Sequence, residues 1–302
     1  MGGRFFGRTL DVERSYGEGL VLTPRERTKI GEASNRYAIL GMGILERGVP
    51  MYFDGMNEWG LAAAALNFPE YAVYRSPRED MSNIPPAHLI TVILGLCRSV
   101  EEAEDMLRRV NITDEGAGGH PTTPLHWIIS DQRRSITVEP LSEGLKIYDN
   151  PYGILTNSPP FCYHTARLAD FSQLKAGYPE KNLTDKALSL YSRGMGAMGL
   201  PGDFSSSSRF VRALFVKENI RPVTDGQDSH LAQINSFFHV MNAVSVPYGC
   251  VLNREGEAFY TRYTCLFDLE ELTCYLTTYN DPKPHSVRLT EDMMISHKVR
   301  VI

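Results

Sequence analysis

The chain has 302 residues, of which 42% are hydrophobic and 22% charged, with a formal net charge of -5 at pH 7. That length and apolar share are enough for a substantial core in a soluble globular protein. The acidic balance and the lack of a basic run exclude nucleic acid as a partner, and the longest apolar stretch, Leu89 to Cys97, is too short to span a bilayer.

The first element is Phe5-Phe6-Gly7-Arg8-Thr9-Leu10-Asp11, a short apolar strand start running into a cation and a carboxylate three residues apart. Side chains alternate along a strand, so Arg8 and Asp11 point to opposite faces, and serving one pocket requires a bulge or a strand end between them. The competing reading is an exposed ion pair at a strand end. Gly19 to Thr23 and Tyr37 to Ile44 follow as strands, separated by the polar stretch Pro24 to Asn35. Met51 to Asp54 and Leu61 to Leu66 read as a hairpin closed by Asn57-Glu58-Trp59-Gly60, with Asn opening and Gly ending a type I turn. Asn67 ends the second arm just before Phe68-Pro69.

Pro85 to Cys97 reads as a buried, Pro-initiated helix. Ser99-Val100-Glu101-Glu102 is a capping box for a second helix burying Val100, Ala103, Met106, Leu107 and Val110. Period-2 patterning returns in His126 to Ser130, Ser135 to Glu139, Leu145 to Tyr148 and Gly153 to Thr156, four strands at meander spacing. Asn157 then ends a strand before Ser158-Pro159-Pro160, a position analogous to that of Asn67. Phe161 to Leu174 is helical, Gly194 to Ser208 is a Gly- and Ser-rich loop, and helices cover Arg209 to Val216 and Leu231 to Met241. The second of these presents Leu231, Ile234, Phe237, Phe238 and Met241 on one face. Strands return from Cys250 to about Leu289. Strands in blocks, helices in blocks and hairpin-length links describe antiparallel sheets layered with helices, an α+β fold, and no linker divides the chain.

Five cysteines (Cys97, Cys162, Cys250, Cys265 and Cys274) are odd in number and lack CxxC spacing, which fits reduced thiols in the cytoplasm. The N-terminus carries no secretory signal. Cys97 lies in the buried helix and the others read as small core residues. Gly194-Met195-Gly196-Ala197-Met198-Gly199 matches GxGxxG but neither follows a clear strand nor opens a helix, as a pyrophosphate cradle requires. The eight histidines show no zinc spacing; His120 and His126 read as loop and strand-start residues. No metal site, P-loop or GxSxG elbow is present.

What remains is a set of polar residues at strand ends: Arg8, Asp11, Asn67, Asn157 and Arg209. Arg209 sits at a helix start, where a cation opposes the helix dipole and needs either solvent or an anion or thiolate opposite. Two arginines, an aspartate and two asparagines suit acyl transfer, with amides as an oxyanion hole, Arg beside a thiolate and Asp orienting an amine. The set contains no nucleophile.

Six segments, in order, carry a resemblance: Phe6-Gly7-Arg8-Thr9-Leu10-Asp11, Asp54-Gly55-Met56-Asn57-Glu58, Leu66-Asn67-Phe68-Pro69, Leu125-His126-Trp127, Leu155-Thr156-Asn157-Ser158-Pro159 and Gly199-Leu200-Pro201-Gly202-Asp203-Phe204. They closely resemble the choloylglycine hydrolase family, which contains the bile salt hydrolases and penicillin V acylases, and the match runs from Phe5 to about Asn280. The resemblance implies a four-layer αββα N-terminal-nucleophile hydrolase fold across residues 1–302 as a single domain lacking the family's first strand. It also implies hydrolysis of a linear amide by an N-terminal Cys whose own α-amine is the base, with no cofactor. On matching positions Arg8 would keep the thiolate pKa low, Asp11 would hold the α-amine, Asn67 and Asn157 would supply oxyanion donors, and Arg209 would complete the charge environment. Asn67 resembles the bile-salt-selective members, whereas penicillin V acylases typically carry Tyr there. Glycine- or taurine-conjugated bile acid is the implied substrate, received in an apolar cleft near Leu10, Tyr16, Phe53 and Leu125, residues that equally suit plain core. Arg14 leaves the glycine-versus-taurine preference open.

The family's Cys stands about ten residues or more upstream of Met1, a strand and a turn away. Removal of Met1 would expose Gly2, and no internal cysteine has a free amine, so the chain as written is expected not to hydrolyse amides. Two explanations compete: a full form beginning upstream with Met-Cys, or a nucleophile-less homologue that binds a steroid conjugate or joins an oligomer. Loss of a central strand predicts an unpaired edge or a groove. Penicillin V acylase activity is the alternative within the family. Family members are commonly homotetramers, with the Gly194 to Ser208 loop a contributor to contacts.

Overall fold

Alternation of side chains across a strand makes every second residue answer to a different layer, and this chain uses both faces of nearly every strand. Leu20, Leu22, Leu40, Met42, Met56, Ala62, Ala64 and Ile128 pack into one core, while Val21, Ile39, Leu61, Ala63, Trp127 and Ile129 pack into another. The computed structural model describes residues 4–30, 33–116, 121–179, 184–186, 188–226 and 228–302. Gly2 and His120, named above, lie outside them.

The strands of the two large sheets are β1 (Phe5–Val12), β2 (Gly19–Thr23), β3 (Ile39–Glu46), β4 (Val49–Asn57), β5 (Ala62–Asn67), β6 (Leu125–Ser130), β7 (Ser135–Leu141), β8 (Gly144–Asp149), β9 (Tyr260–Asp268), β10 (Thr273–Thr278), β11 (His285–Arg288) and β12 (Arg300–Val301). Their antiparallel pairing builds an eight-stranded sheet in the order β8-β7-β6-β5-β4-β3-β2-β12 and a four-stranded sheet in the order β1-β9-β10-β11. The expected meander is visible in that first order. Helices α1 (Leu89–Leu96) and α2 (Val100–Leu107) cover the outer face of the large sheet. Helices α4 (Ser206–Asn219) and α5 (Ser229–Asn242) lie outside the small one, where Ile234 and Phe238 meet Leu266, and the short α3 (Phe161–Arg167) packs through Phe161 on Phe210 of α4. The result is helix, sheet, sheet, helix: the α+β, αββα arrangement expected. Among the described residues no helix is long and apolar enough to cross a membrane.

The hairpin turn forms as read. Asn57 Oδ1 accepts the amides of Trp59 and Leu61, and Gly60 closes the turn at φ +74°, where a Cβ would stand 2.5 Å from the Leu269 carbonyl oxygen. Ser99 caps α2 by accepting the Glu102 amide.

Other expectations need correction. Gly153 to Thr156 is not a strand: Asn150 takes its backbone out of the ladder, accepting the Gly153 amide and donating to the Ile154 carbonyl. Val110 lies beyond α2, in a three-residue strand (Val110–Ile112) running parallel to Ser82–Ile84. On α5, Ile234 and Phe238 are buried as expected, together with Ala232, Ser236 and Val240, but Leu231 is exposed and Phe237 and Met241 are only half-buried. Cys162 and Cys250 are exposed rather than core, and only Cys97, Cys265 and Cys274 are buried.

Candidate active site

β1 is an edge strand: among the described residues it pairs with β9 alone, and the opposite edge faces a cavity of about 1140 Å³. Arg8, Asp11, Asn67, Asn157 and Arg209 all line that cavity, as do Leu10, Tyr16, Phe53 and Leu125. The five polar residues arrive from four parts of the fold: β1, the end of β5, the segment after β8 and the first turn of α4.

The two charges on β1 reach it differently from the expected way. The pairing does slip, from Leu10–Tyr263 to Asp11–Thr261, but the unmatched residue is Arg262 on β9. β1 therefore keeps its alternation. Arg8 shares the face of Phe6 and Leu10 and points between the sheets, where Nη1 donates to the carbonyls of Ala65 at 2.8 Å and Phe53 at 3.2 Å. Asp11 shares the face of Thr9, whose hydroxyl is 3.2 Å from it, and turns toward α4. The cation and the carboxylate meet one cavity because that cavity wraps the open rim of the strand between them.

Around Asp11 the geometry is tight. Thr261 Oγ1 donates to Asp11 Oδ1 at 2.5 Å, and Arg209 Nη1 lies 3.4 Å from Oδ2. Arg209 Nη2 donates to Asn157 Oδ1 at 2.6 Å, and Asn157 Nδ2 donates onward to the Asn67 carbonyl at 2.9 Å. With Asp11 6% and Arg209 9% exposed, this is a buried ion pair. Burial lowers the Arg209 pKa, and Asp11 opposes that shift. Of the two readings for a cation at a helix start, the anion opposite is the one the structure adopts, and Ser205 caps the helix by accepting the Ser208 amide.

Asp54 is a residue that reasoning on strand ends passed over. It is fully buried on β4, 3.8 Å from Arg8 Nε, and accepts from Tyr263 Oη at 2.5 Å and Cys265 Sγ at 3.1 Å. Burial pushes its carboxyl pKa up, with Arg8, Tyr263 and Cys265 pulling the other way. A carboxylate inside the run Met51 to Met56 was the available signal, since an apolar strand carries a charge only where a partner waits. The GxGxxG match falls on a short 3-10 turn, Met195–Ala197, and does not open α4, which starts at Ser206 under its own Ser205 cap.

Ion pair, amide pair and apolar walls on one cavity make a place where an acyl group can be held and negative charge stabilised. The comparisons with known proteins agree with that chemistry. The family model described as linear amide C–N hydrolases, choloylglycine hydrolase family, matches residues 2–301. A bile salt hydrolase/transferase from Lactiplantibacillus plantarum is 38% identical over 95% of this chain and 90% of its own length. Another of that name from Clostridium perfringens is 34% identical over 98% of this chain and 91% of its own. The crystal structure of a variant of the conjugated bile acid hydrolase from Clostridium perfringens is 33% identical and superposes with a TM-score of 0.90, covering 99% of this chain and 92% of that one. Penicillin V acylase from Agrobacterium tumefaciens, at 24% identity and a TM-score of 0.76 over 98% and 86%, shares the fold.

Proposed function

The chain belongs to the choloylglycine hydrolase family of linear amide C–N hydrolases, and from that premise we propose that it cleaves the amide of bile acids conjugated to glycine or taurine. The observation that carries this reading is the Asp11–Arg209–Asn157 chain of contacts, closed by the Asn67 carbonyl, at the wall of an otherwise largely apolar cavity. An anionic amphipath with a rigid apolar body matches such a site in shape and charge.

The nucleophile in this reading is a thiol at a chain N-terminus lying along the open rim of β1. It attacks the amide carbonyl carbon, and its proton passes to its own α-amine. Arg8 favours the thiolate, Asp11 holds the amine, and Asn67 with the free Nδ2 hydrogen of Asn157 donates to the oxyanion. The amine product leaves with that proton, and water then cleaves the thioester. The internal cysteines do not replace that thiol. Burial raises the pKa of Cys97 to about 12 and those of Cys265 and Cys274 well above their usual value, and Cys162 and Cys250 carry peptide nitrogens in place of a free amine. A single domain, a homotetramer and a cytoplasmic location complete the reading, supported respectively by the shared core between the sheets, by the exposed Tyr191 and Met198, and by five unpaired thiols.

Rate assays on the protein bearing that N-terminal cysteine, with glycine- and taurine-conjugated bile acids and penicillin V, test the proposal. Faster turnover of the bile conjugates supports it, and the reverse order sinks the substrate assignment. An in-frame Met-Cys codon pair upstream of Met1 supports the nucleophile; its absence, with the conjugates bound but not cleaved, assigns a binding homologue instead.

A further inference from the structure

Asn67 and Asn157 reach the cavity from separate segments, and one buried circuit runs behind both. Phe68, next to Asn67, lies flat on the His126 imidazole, ring centroids 4.2 Å apart and planes 6° apart. His126 Nδ1 stands 3.1 Å from Glu139 Oε1, with neither side chain exposed at all. The same Oε1 accepts the amide of Phe161, the first residue of α3, at 2.9 Å. One turn on, His164 Nε2 lies 3.0 Å from the Asn157 carbonyl oxygen, and its ring stacks on Phe210, the neighbour of Arg209. Since that carbonyl only accepts, His164 carries its proton on Nε2.

Every member of the path from Phe68 to His164 is buried. Burial also lowers the pKa of both histidines, against the pull of Glu139. Among the described residues Glu139 Oε2 has no hydrogen-bond partner, while His126 and His164 also face the backbone of Thr156 and Pro159. A carboxylate and two imidazoles buried together are costly where apolar side chains would pack. The three sit in two strands that also bury Ser130 and Thr137 and in a helix beside them, and they meet the two asparagines' own segments.

We propose that Glu139, His126 and His164 are positioning residues for the two asparagines. Glu139 Oε1 ties the His126 ring to the start of α3; the ring seats Phe68 and with it the Asn67 backbone, while His164 seats the Asn157 carbonyl. The proposal rests on the reading of both asparagines as oxyanion donors, and its test separates the two.

In protein labelled with 15N-asparagine, side-chain amide resonances assigned through Asn67→Asp and Asn157→Asp report placement without any substrate. Glu139→Leu shifts both resonances, Glu139→Gln, which keeps the accepting oxygen, leaves both in place, and His164→Phe, which keeps the stack on Phe210, shifts Asn157 alone. In the cysteine-bearing protein, Glu139→Leu and His164→Phe lower kcat by about tenfold or more with KM within about twofold, while Glu139→Gln stays within about threefold. Unmoved resonances in folded Glu139→Leu or His164→Phe overturn the proposal, as does a Glu139→Gln protein as impaired as Glu139→Leu. If Glu139→Leu does not fold, His164→Phe decides. Should the unsubstituted protein cleave no amide, the functional reading falls and the resonances still decide the positioning.

Discussion

Arg209 Nη2 meets Asn157 Oδ1 at 2.6 Å, and this one contact fixes which way the Asn157 amide faces. With its oxygen committed to the guanidinium, the amide nitrogen is turned to the Asn67 carbonyl, leaving one N–H for the cavity. Arginine does this where lysine would not, because its planar fork serves Asn157 and Asp11 at once from a 9% exposed position.

Arg209→Ala is therefore expected to cost about 3–5 kcal/mol of stability, since it leaves the Asp11 carboxylate buried without its cation. Urea unfolding measures that, and a loss under about 1 kcal/mol would mean the pair is solvent-relaxed. Arg209→Lys keeps the charge but not both contacts, so in the cysteine-bearing protein kcat should fall about a hundredfold with the fold retained.

Asp54 provides a pH test whose sign follows from its surroundings. Burial raises its pKa above the ordinary 3.8, against the pull of Arg8, Tyr263 and Cys265. The folded state thus holds this proton to higher pH than the unfolded chain, so the group's stabilisation is complete below 3.8 and is lost as pH rises through the folded value. The side-chain amide introduced by Asp54→Asn does not titrate, and the stability of that variant relative to the parent should climb with pH over this window and then level. Urea unfolding at stepped pH reads the difference, and a difference flat with pH would contradict the raised pKa.

Gly7 offers a steric test on the strand that carries Arg8 and Asp11. A Cβ there would stand 2.2 Å from the Cys265 carbonyl oxygen and 2.8 Å from the Phe237 ring. Backbone must move to admit it, so Gly7→Ala should destabilise by about 1–3 kcal/mol. Thermal and urea unfolding give the value; an unchanged midpoint would show that β1 and α5 pack more loosely than described.

The layers were legible because the signals were local. Alternating apolar residues from Gly19 to Leu66 and from His126 to Tyr148 gave strands in nearly their true order, and the Asn57–Gly60 turn and the Ser99 cap followed from single side chains. The site was legible in part: Arg8, Asp11, Asn67, Asn157 and Arg209 share a cavity, yet only their positions at strand and helix ends drew attention to them. Their pairing was not readable, since Asp11 and Arg209 are 198 residues apart and nothing in either neighbourhood names the other. Glu139 and Asp54 were passed over although each is a charge inside an apolar run. Gly153 to Thr156 failed for the opposite reason, carrying a strand's composition while the Asn150 side chain claimed the backbone groups that a ladder needs.

The opposed faces of Arg8 and Asp11 make the spacing between them a matter of parity. One residue inserted into or deleted from Thr9-Leu10 would turn both ions to the same side of β1, bringing Asp11 toward the buried Asp54 or Arg8 toward Arg209, in either case like against like. Substitutions at Thr9 and Leu10 are matters of degree, but the number of residues there admits only even change.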